Sequence, residues 1–168
     1  MAINDIKIAK LTLNIGVGGE AIESLQRAEK LLTLLSGQKP VRTYSKATIS
    51  EFGTKKNEPI GTKVTIRGKK ASEILKSSFE AVENQIQKNK ISDHGNFSFG
   101  VGEYIEMPGM KYDPDIGMFG FDISVNMERI GYRIAKRRLH PKKLPKSIQI
   151  TREEIEKFLT ENYGVKIE

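Results

Sequence analysis

Residues 37–68 read GQKPVRTYSKATISEFGTKKNEPIGTKVTIRG, and this stretch decides the fold. Gly37 stops a preceding helix, and Pro40 favours extended backbone before it. A short strand is expected over Val41–Tyr44, then a polar loop, then a second strand over Thr62–Arg67. In that second strand Val64 and Ile66 point one way, whereas Lys63, Thr65 and Arg67 point the other. A sheet face with two cations and a hydroxyl is not a core face; it suits phosphate and ribose. The stretch carries seven Lys or Arg (Lys39, Arg42, Lys46, Lys55, Lys56, Lys63, Arg67) against Glu51 and Glu58. Such a surplus needs solvent or a polyanion to offset its self-repulsion. A solvated surface hairpin would account for the charge, but the alternation of the second strand favours a polyanion.

Upstream, Leu11, Leu13 and Ile15 alternate with Lys10, Thr12 and Asn14, the pattern of a half-buried strand with a polar, basic outer face. A helix over about 20–36 follows, with Ile22, Leu25, Ala28, Leu32 and Leu35 at helical spacing. Downstream, a helix over 69–90 buries Ala71, Ile74, Leu75, Phe79, Val82 and Ile86. Two further alternating strands are expected, over Asn96–Gly102 and Phe119–Met127. The Gly-, Pro- and Asp-rich segment between them reads as turns. Asp113 and Asp115 lack the Asp and Gly that a calcium loop requires at the next positions. A last helix starts after Thr151, whose hydroxyl and Glu154 form a capping-box pattern, and Gly164 closes it.

The chain has 168 residues and no cysteine. That length suits one domain able to bury roughly 70% of its unfolded surface. The lack of cysteine excludes disulfides and thiolate metal sites and agrees with a reducing compartment. No apolar run approaches the ~20 residues of a membrane span, and MAINDIKIAK lacks the apolar core of a signal peptide. The expected location is therefore cytoplasmic, with no membrane partner. Net charge is +7, and residues 129–146 hold eight Lys or Arg with no acid. The positive charge is thus segregated into two segments, which is the footprint of a nucleic-acid binder. Proline and charge together predict an extended basic arm over about 129–146.

Nothing in the sequence implies an enzyme or a cofactor. Gly16, Gly18 and Ala21 spell GxGxxA between a strand and a helix, a dinucleotide fingerprint. The acid expected after the next strand is missing, and so is the serial strand–helix alternation of a doubly wound sheet. A nucleotide-dependent oxidoreductase using the GVGGEA turn is nevertheless the alternative from another class, and a free-standing RNA chaperone is a third. Lys69 and Lys70 after Gly68 do not complete a phosphate loop. His94 and His140 stand apart from any acid at triad or ligand spacing.

Several colinear motifs carry a resemblance. LTLLSGQKPVRTYSKAT at 32–48 is similar to the signature of the ribosomal protein L-five family, the 5S-rRNA-binding proteins of the large subunit. LNIGVG at 13–18, EPIGTKVTIRG at 58–68, HGNFSFGVGEYI at 94–105 and KYDPDIGMFGFDI at 111–123 extend it over nearly the whole chain. The basic arm and terminal helix resemble the archaeal and eukaryotic branch, although Ile130 stands where that branch often has proline.

The resemblance implies a structural protein of the central protuberance. Its implied partners are 5S rRNA, 23S-type rRNA, the peptidyl-site (P-site) tRNA, a protein of the L-eighteen family and a protein of the small-subunit head. It implies 5S RNA contacts at Asn14, Gln38 and Thr65. With the basic residues of the outward faces, the expected rRNA-binding set is Lys10, Thr12, Asn14, Gln38, Lys39, Arg42, Lys63, Thr65, Arg67, Arg137 and Arg138. The tRNA-contacting set is Phe52, Gly53, Thr54, Lys55, Lys56 and Asn57. The expected fold is α+β in two layers: a twisted, antiparallel-rich sheet, helices 20–36, 69–90 and 152–162 on one face, and RNA on the other. Residues 1–168 form one domain, with a mobile loop at about 45–61.

Overall fold

The strand β1 (Ile6–Gly16) is first in the chain and central in the sheet. Its alternation buries Leu11, Leu13 and Ile15 on one side and leaves Lys10, Thr12 and Asn14 on the other. The computed structural model describes residues 5–18 and 22–167. Gly19, Glu20 and Ala21 of the GVGGEA turn lie outside the described residues, as does the start of the helix expected from residue 20.

After β1 come α1 (Ile22–Ser36), β2 (Val41–Tyr44), β3 (Pro59–Ile66), α2 (Lys69–Ala81), β4 (Gln85–Ile86) and β5 (Phe97–Val101). They are followed by β6 (Phe121–Arg129), α3 (Arg133–Lys136), α4 (Arg152–Tyr163) and β7 (Lys166–Ile167). The described residues build a five-stranded antiparallel sheet in the order β2-β3-β1-β6-β5. The fold is α+β, as the alternating segments predict.

One face of the sheet is covered. Ala28, Leu31 and Leu32 of α1 and Ala71, Leu75 and Phe79 of α2 pack with Leu11, Leu13, Val64 and Ile66, and Leu25 of α1 is also buried. Ile22, expected in this stripe, is 64% exposed. At ~100° per residue it sits roughly 120° round the helix from Ala28, and Leu31 completes the stripe instead. An aromatic cluster extends the core: the Phe79 ring lies 5.2 Å from Phe99 and 5.3 Å, edge-on, from Tyr163. Burial pushes the Tyr163 hydroxyl above the usual tyrosine range.

Two expectations are corrected. The helix expected to reach residue 90 ends at Ala81, because Glu83 and Asn84 adopt left-handed backbone with φ of 54° and 57°. No glycine marks this exit; asparagine tolerates that conformation and supplies the turn. The Asn84 N–H then bonds the Phe79 carbonyl at 2.8 Å, and β4 pairs in parallel with β7. The basic arm is not wholly extended either. Arg129 is the buried last residue of β6, and α3 forms one helical turn. The Tyr132 hydroxyl donates to the Ile148 carbonyl at 3.1 Å and accepts from the Ile150 N–H at 2.8 Å, which fastens the arm's return to its start.

The turn chemistry between β5 and β6 holds. Asp113 accepts from the Asp115 N–H at 3.0 Å, and the buried Tyr104 hydroxyl accepts from the Asp113 N–H at 2.9 Å. Thr151 and Glu154 form the expected capping box, and Gly164 ends α4 in left-handed conformation.

Candidate nucleic-acid interface

The second face of the sheet is polar and open, and strand register fixes its layout. Val41, Lys63, Asn14, Asp122 and Gly100 stand side by side in one row across all five strands. Thr65, Thr12, Ser124 and Ser98 form the next row, and Lys10 with Asn126 begins a third. Lys10, Lys63, Ser98, Asp122 and Ser124 are exposed, while Thr12, Asn14, Thr65 and Asn126 are half-buried among their neighbours. Asn14 therefore has a cation on one side, Lys63, and a carboxylate on the other, Asp122. An incoming phosphate is drawn towards β3 and repelled from the start of β6.

Register brings together Lys10, Thr12, Asn14, Lys63 and Thr65 from the expected rRNA-binding set. Arg67 is exposed just beyond the end of β3. Gln38 and Lys39 are exposed in the turn between α1 and β2. The buried Ser36 hydroxyl shapes that turn, donating to the Leu32 carbonyl at 2.6 Å and accepting from the Gln38 N–H at 3.1 Å. Arg137 and Arg138 are exposed beyond α3, where Arg137 Nε donates to the His140 carbonyl at 2.9 Å.

Arg42 is turned the other way. It pairs in register with buried Thr62, so it lies on the helix side of the sheet. There its Nε is 2.5 Å from Glu29 Oε1 and its Nη2 is 3.1 Å from Oε2. Hydrogen bonding to Arg42 holds the Glu29 carboxyl below the usual range. Burial opposes this, and the charges of Arg42 and Lys39 assist it. The reciprocal bond raises Arg42 further. Nothing in the sequence links positions 29 and 42, so this ion pair is invisible without the fold. The outward polar residues of β5 and β6, by contrast, are signalled by alternation alone.

The loop between β2 and β3 carries its own framework. Ile49 and Thr54 exchange backbone hydrogen bonds at 2.9 and 3.2 Å around a one-turn helix, Ser50–Phe52. Gly53 turns the chain with φ of 62°, and Asn57 turns it again with φ of 67°. The Lys55 N–H bonds Glu58 Oε2 at 2.8 Å and the Lys56 N–H bonds Thr48 Oγ1 at 3.1 Å. Thr54 is buried, so this member of the tRNA-contacting set faces inward. Phe52 stands at the tip, 72% exposed, with the Lys55 and Lys56 side chains also in solvent. A bare aromatic ring near two cations is chemistry for stacking on a base or lying along a nucleic-acid backbone.

Among the described residues no group of three or more His, Cys, Asp or Glu could hold a metal ion, and no helix is long and apolar enough to cross a membrane. Comparison with known proteins gives one answer along the chain. Residues 2–55 match the family Ribosomal protein L5, and residues 59–151 match the C-terminus of the same ribosomal family. The chain is 53% identical over 161 residues to the large ribosomal subunit protein uL5 of Methanosphaera stadtmanae, covering 96% of this chain and 95% of that one. It is 46% identical over 163 residues to uL5 of Methanobrevibacter smithii, covering 97% and 95%. The figure for uL5 of Sulfurisphaera tokodaii is also 46%, over 96% and 92% of the two chains.

Proposed function

Because this chain belongs to the ribosomal protein L5 family, structural and non-enzymatic constituents of the large ribosomal subunit, we propose that its open sheet face docks on 5S rRNA. The observation that carries this reading is the register of β1 with β3, which sets Asn14 beside Lys63 and Thr12 beside Thr65 on the open face of the sheet. Lysines supply phosphate attraction, and uncharged Asn14, Gln38 and Thr65 supply shape and 2′-hydroxyl contacts. The same reading makes the Phe52–Asn57 loop the contact to P-site tRNA on the cytoplasmic ribosome. It gives the remaining surface to 23S-type rRNA, an L-eighteen family protein and a small-subunit head protein. On the same reading the loop at about 45–61 is mobile in the free protein and ordered against its RNA partner, with the bonds described above as its local framework.

The test is binding of labelled 5S rRNA to the parent, Asn14→Ala and Thr65→Val. Each variant is expected to lose roughly 1–3 kcal/mol of affinity, the scale of an unpaired buried polar partner, with thermal stability kept. Parental affinity combined with a lower melting temperature would make these residues structural and remove the assignment. A nucleotide-dependent oxidoreductase is not favoured: the sheet is antiparallel, whereas that chemistry sits on a doubly wound parallel one.

A further inference from the structure

The open face has a second feature that the Asn14 site does not use. At the β5–β6 end lies a hollow of about 410 Å³, reached by Lys10 and Asn126 from the sheet and by Lys90 and Ser92 from the segment entering β5. Its size falls in the ~300–1,000 Å³ range of small-ligand sites. Among the described residues no carboxylate lines it. Along β1, Lys10 is four residues from Asn14, about 13 Å at ~3.3 Å per residue, so the hollow adjoins the Asn14 row and shares Lys10 and Thr12 with the docking face.

The chemistry of the hollow is graded. Asn126 Nδ2 donates to Asn96 Oδ1 at 2.7 Å, which locks the two amides together. Asn126 Oδ1 is buried with no hydrogen-bond partner among the described residues. A buried acceptor without a donor is an unmet demand. The locked pair keeps free N–H groups on both residues, so acceptor and donors stand side by side, the arrangement that reads a base edge. Around the amides stand the hydroxyls of Thr12, Ser98 and Ser124, which can both donate to and accept from a ribose. Lys10 and Lys90 add two positive charges from separate elements.

We infer that this hollow receives one unpaired nucleotide of ribosomal RNA. The Asn96–Asn126 amides take its base edge, the hydroxyls take its ribose, and Lys10 and Lys90 take the flanking phosphates. A paired base presents no free edge at a recess of this kind, whereas loops and bulges splay single bases into such recesses. The inference rests on the RNA-docking reading above and deepens it, because it adds a sequence-reading contact to a face otherwise defined by charge and shape.

The experiment is nucleotide-resolution chemical probing of 5S rRNA and of deproteinised large-subunit rRNA, each with the full chain, N126A, K90A and N14A. Lys90 is exposed, so K90A keeps the test valid if N126A unfolds. The expected result is that N126A and K90A unmask the same one or two unpaired nucleotides, which N14A leaves protected. Affinity should fall about three- to tenfold for N126A with an unchanged salt slope. For K90A the slope should drop by about 0.7–0.9, the value of one phosphate contact. If neither variant unmasks a nucleotide while the parent protects 5S rRNA, the hollow is not a subsite and the docking reading stands. If K90A has no effect and N126A erases the same footprint as N14A, the inference also fails. If the parent protects neither RNA, both readings fall together.

Discussion

Arg42 grips Glu29 with two guanidinium nitrogens, at 2.5 and 3.1 Å, and so ties the edge strand β2 to α1. A cation counted with the RNA-binding set from its sequence position is a strut between two elements of the free protein. Arg42→Gln is therefore expected to leave the salt dependence of RNA binding unchanged, whereas Lys63→Gln should reduce the log–log slope by about 0.7–0.9. With roughly six phosphate contacts, the parent slope should be about −4 to −5. An Arg42 variant that lowers the slope as much as Lys63→Gln would mean the guanidinium leaves Glu29 for phosphate.

The capping box makes a pH prediction. The Thr151 N–H and the Arg129 guanidinium hold the Glu154 carboxyl below its usual range against the opposing effect of burial. A carboxyl depressed on folding contributes stability that is full above its unfolded pKa, about 4.3, and is lost as pH falls through the folded value. The melting-temperature gap between parent and Glu154→Gln should thus be constant from neutral pH to about pH 5 and shrink below about pH 4. Thr151→Ala should cost roughly 0.5–2 kcal/mol at neutral pH, the loss of an N-cap.

Phe52 offers a clean separation of two roles. Its ring is 72% exposed and belongs to no core cluster, so Phe52→Ala should leave urea unfolding within about 0.5 kcal/mol of the parent. Affinity for 5S rRNA should stay within about threefold, because the sheet face is untouched. Retention of P-site tRNA on reconstituted ribosomes should fall. Collapse of 5S binding with tRNA retention intact would reverse the roles assigned to loop and sheet.

Gly61 is fixed by space rather than by backbone angle. A Cβ there would lie 2.6 Å from the Ile15 carbonyl oxygen and 3.0 Å from Thr43 Oγ1, where β3 passes between β1 and β2. Gly61→Ala should destabilise by about 1–3 kcal/mol, as overpacking does, and equilibrium unfolding in urea reads it directly. A neutral result would require the two strands to part without cost.

Legibility in the sequence followed the range of the interactions involved. The period of two on Leu11–Ile15, Val64–Ile66 and Phe121–Met127 assigned core and open faces correctly, because each such pattern is local. The capping box was readable for the same reason, with both partners within one helical turn. The early end of α2 was not, since Glu83 and Asn84 adopt left-handed backbone without a glycine and the exit is held by β7 from the far end of the chain. Arg129 and Arg42 read as members of basic runs, yet each meets a carboxylate brought close only by folding. At the interface, the polar residues facing out of β1 and β3 were therefore visible. The Arg42–Glu29 pair and the hollow beside Asn126 depend on elements that only the fold brings together.

The central position of β1 sets a timetable for the nascent chain. Its hydrogen-bonding edges face β3 on one side and β6 on the other, so both remain vacant when this strand leaves the exit tunnel. The first vacancy closes when residues 59–66 emerge, and the second waits for residues 121–129. Over that interval Leu11, Leu13 and Ile15 form a ribbon with an unsatisfied edge, the kind of template on which chains aggregate. A fragment ending between β3 and β6 should accordingly need a chaperone or a binding partner to stay in solution, although it holds most of the residues proposed to contact 5S rRNA.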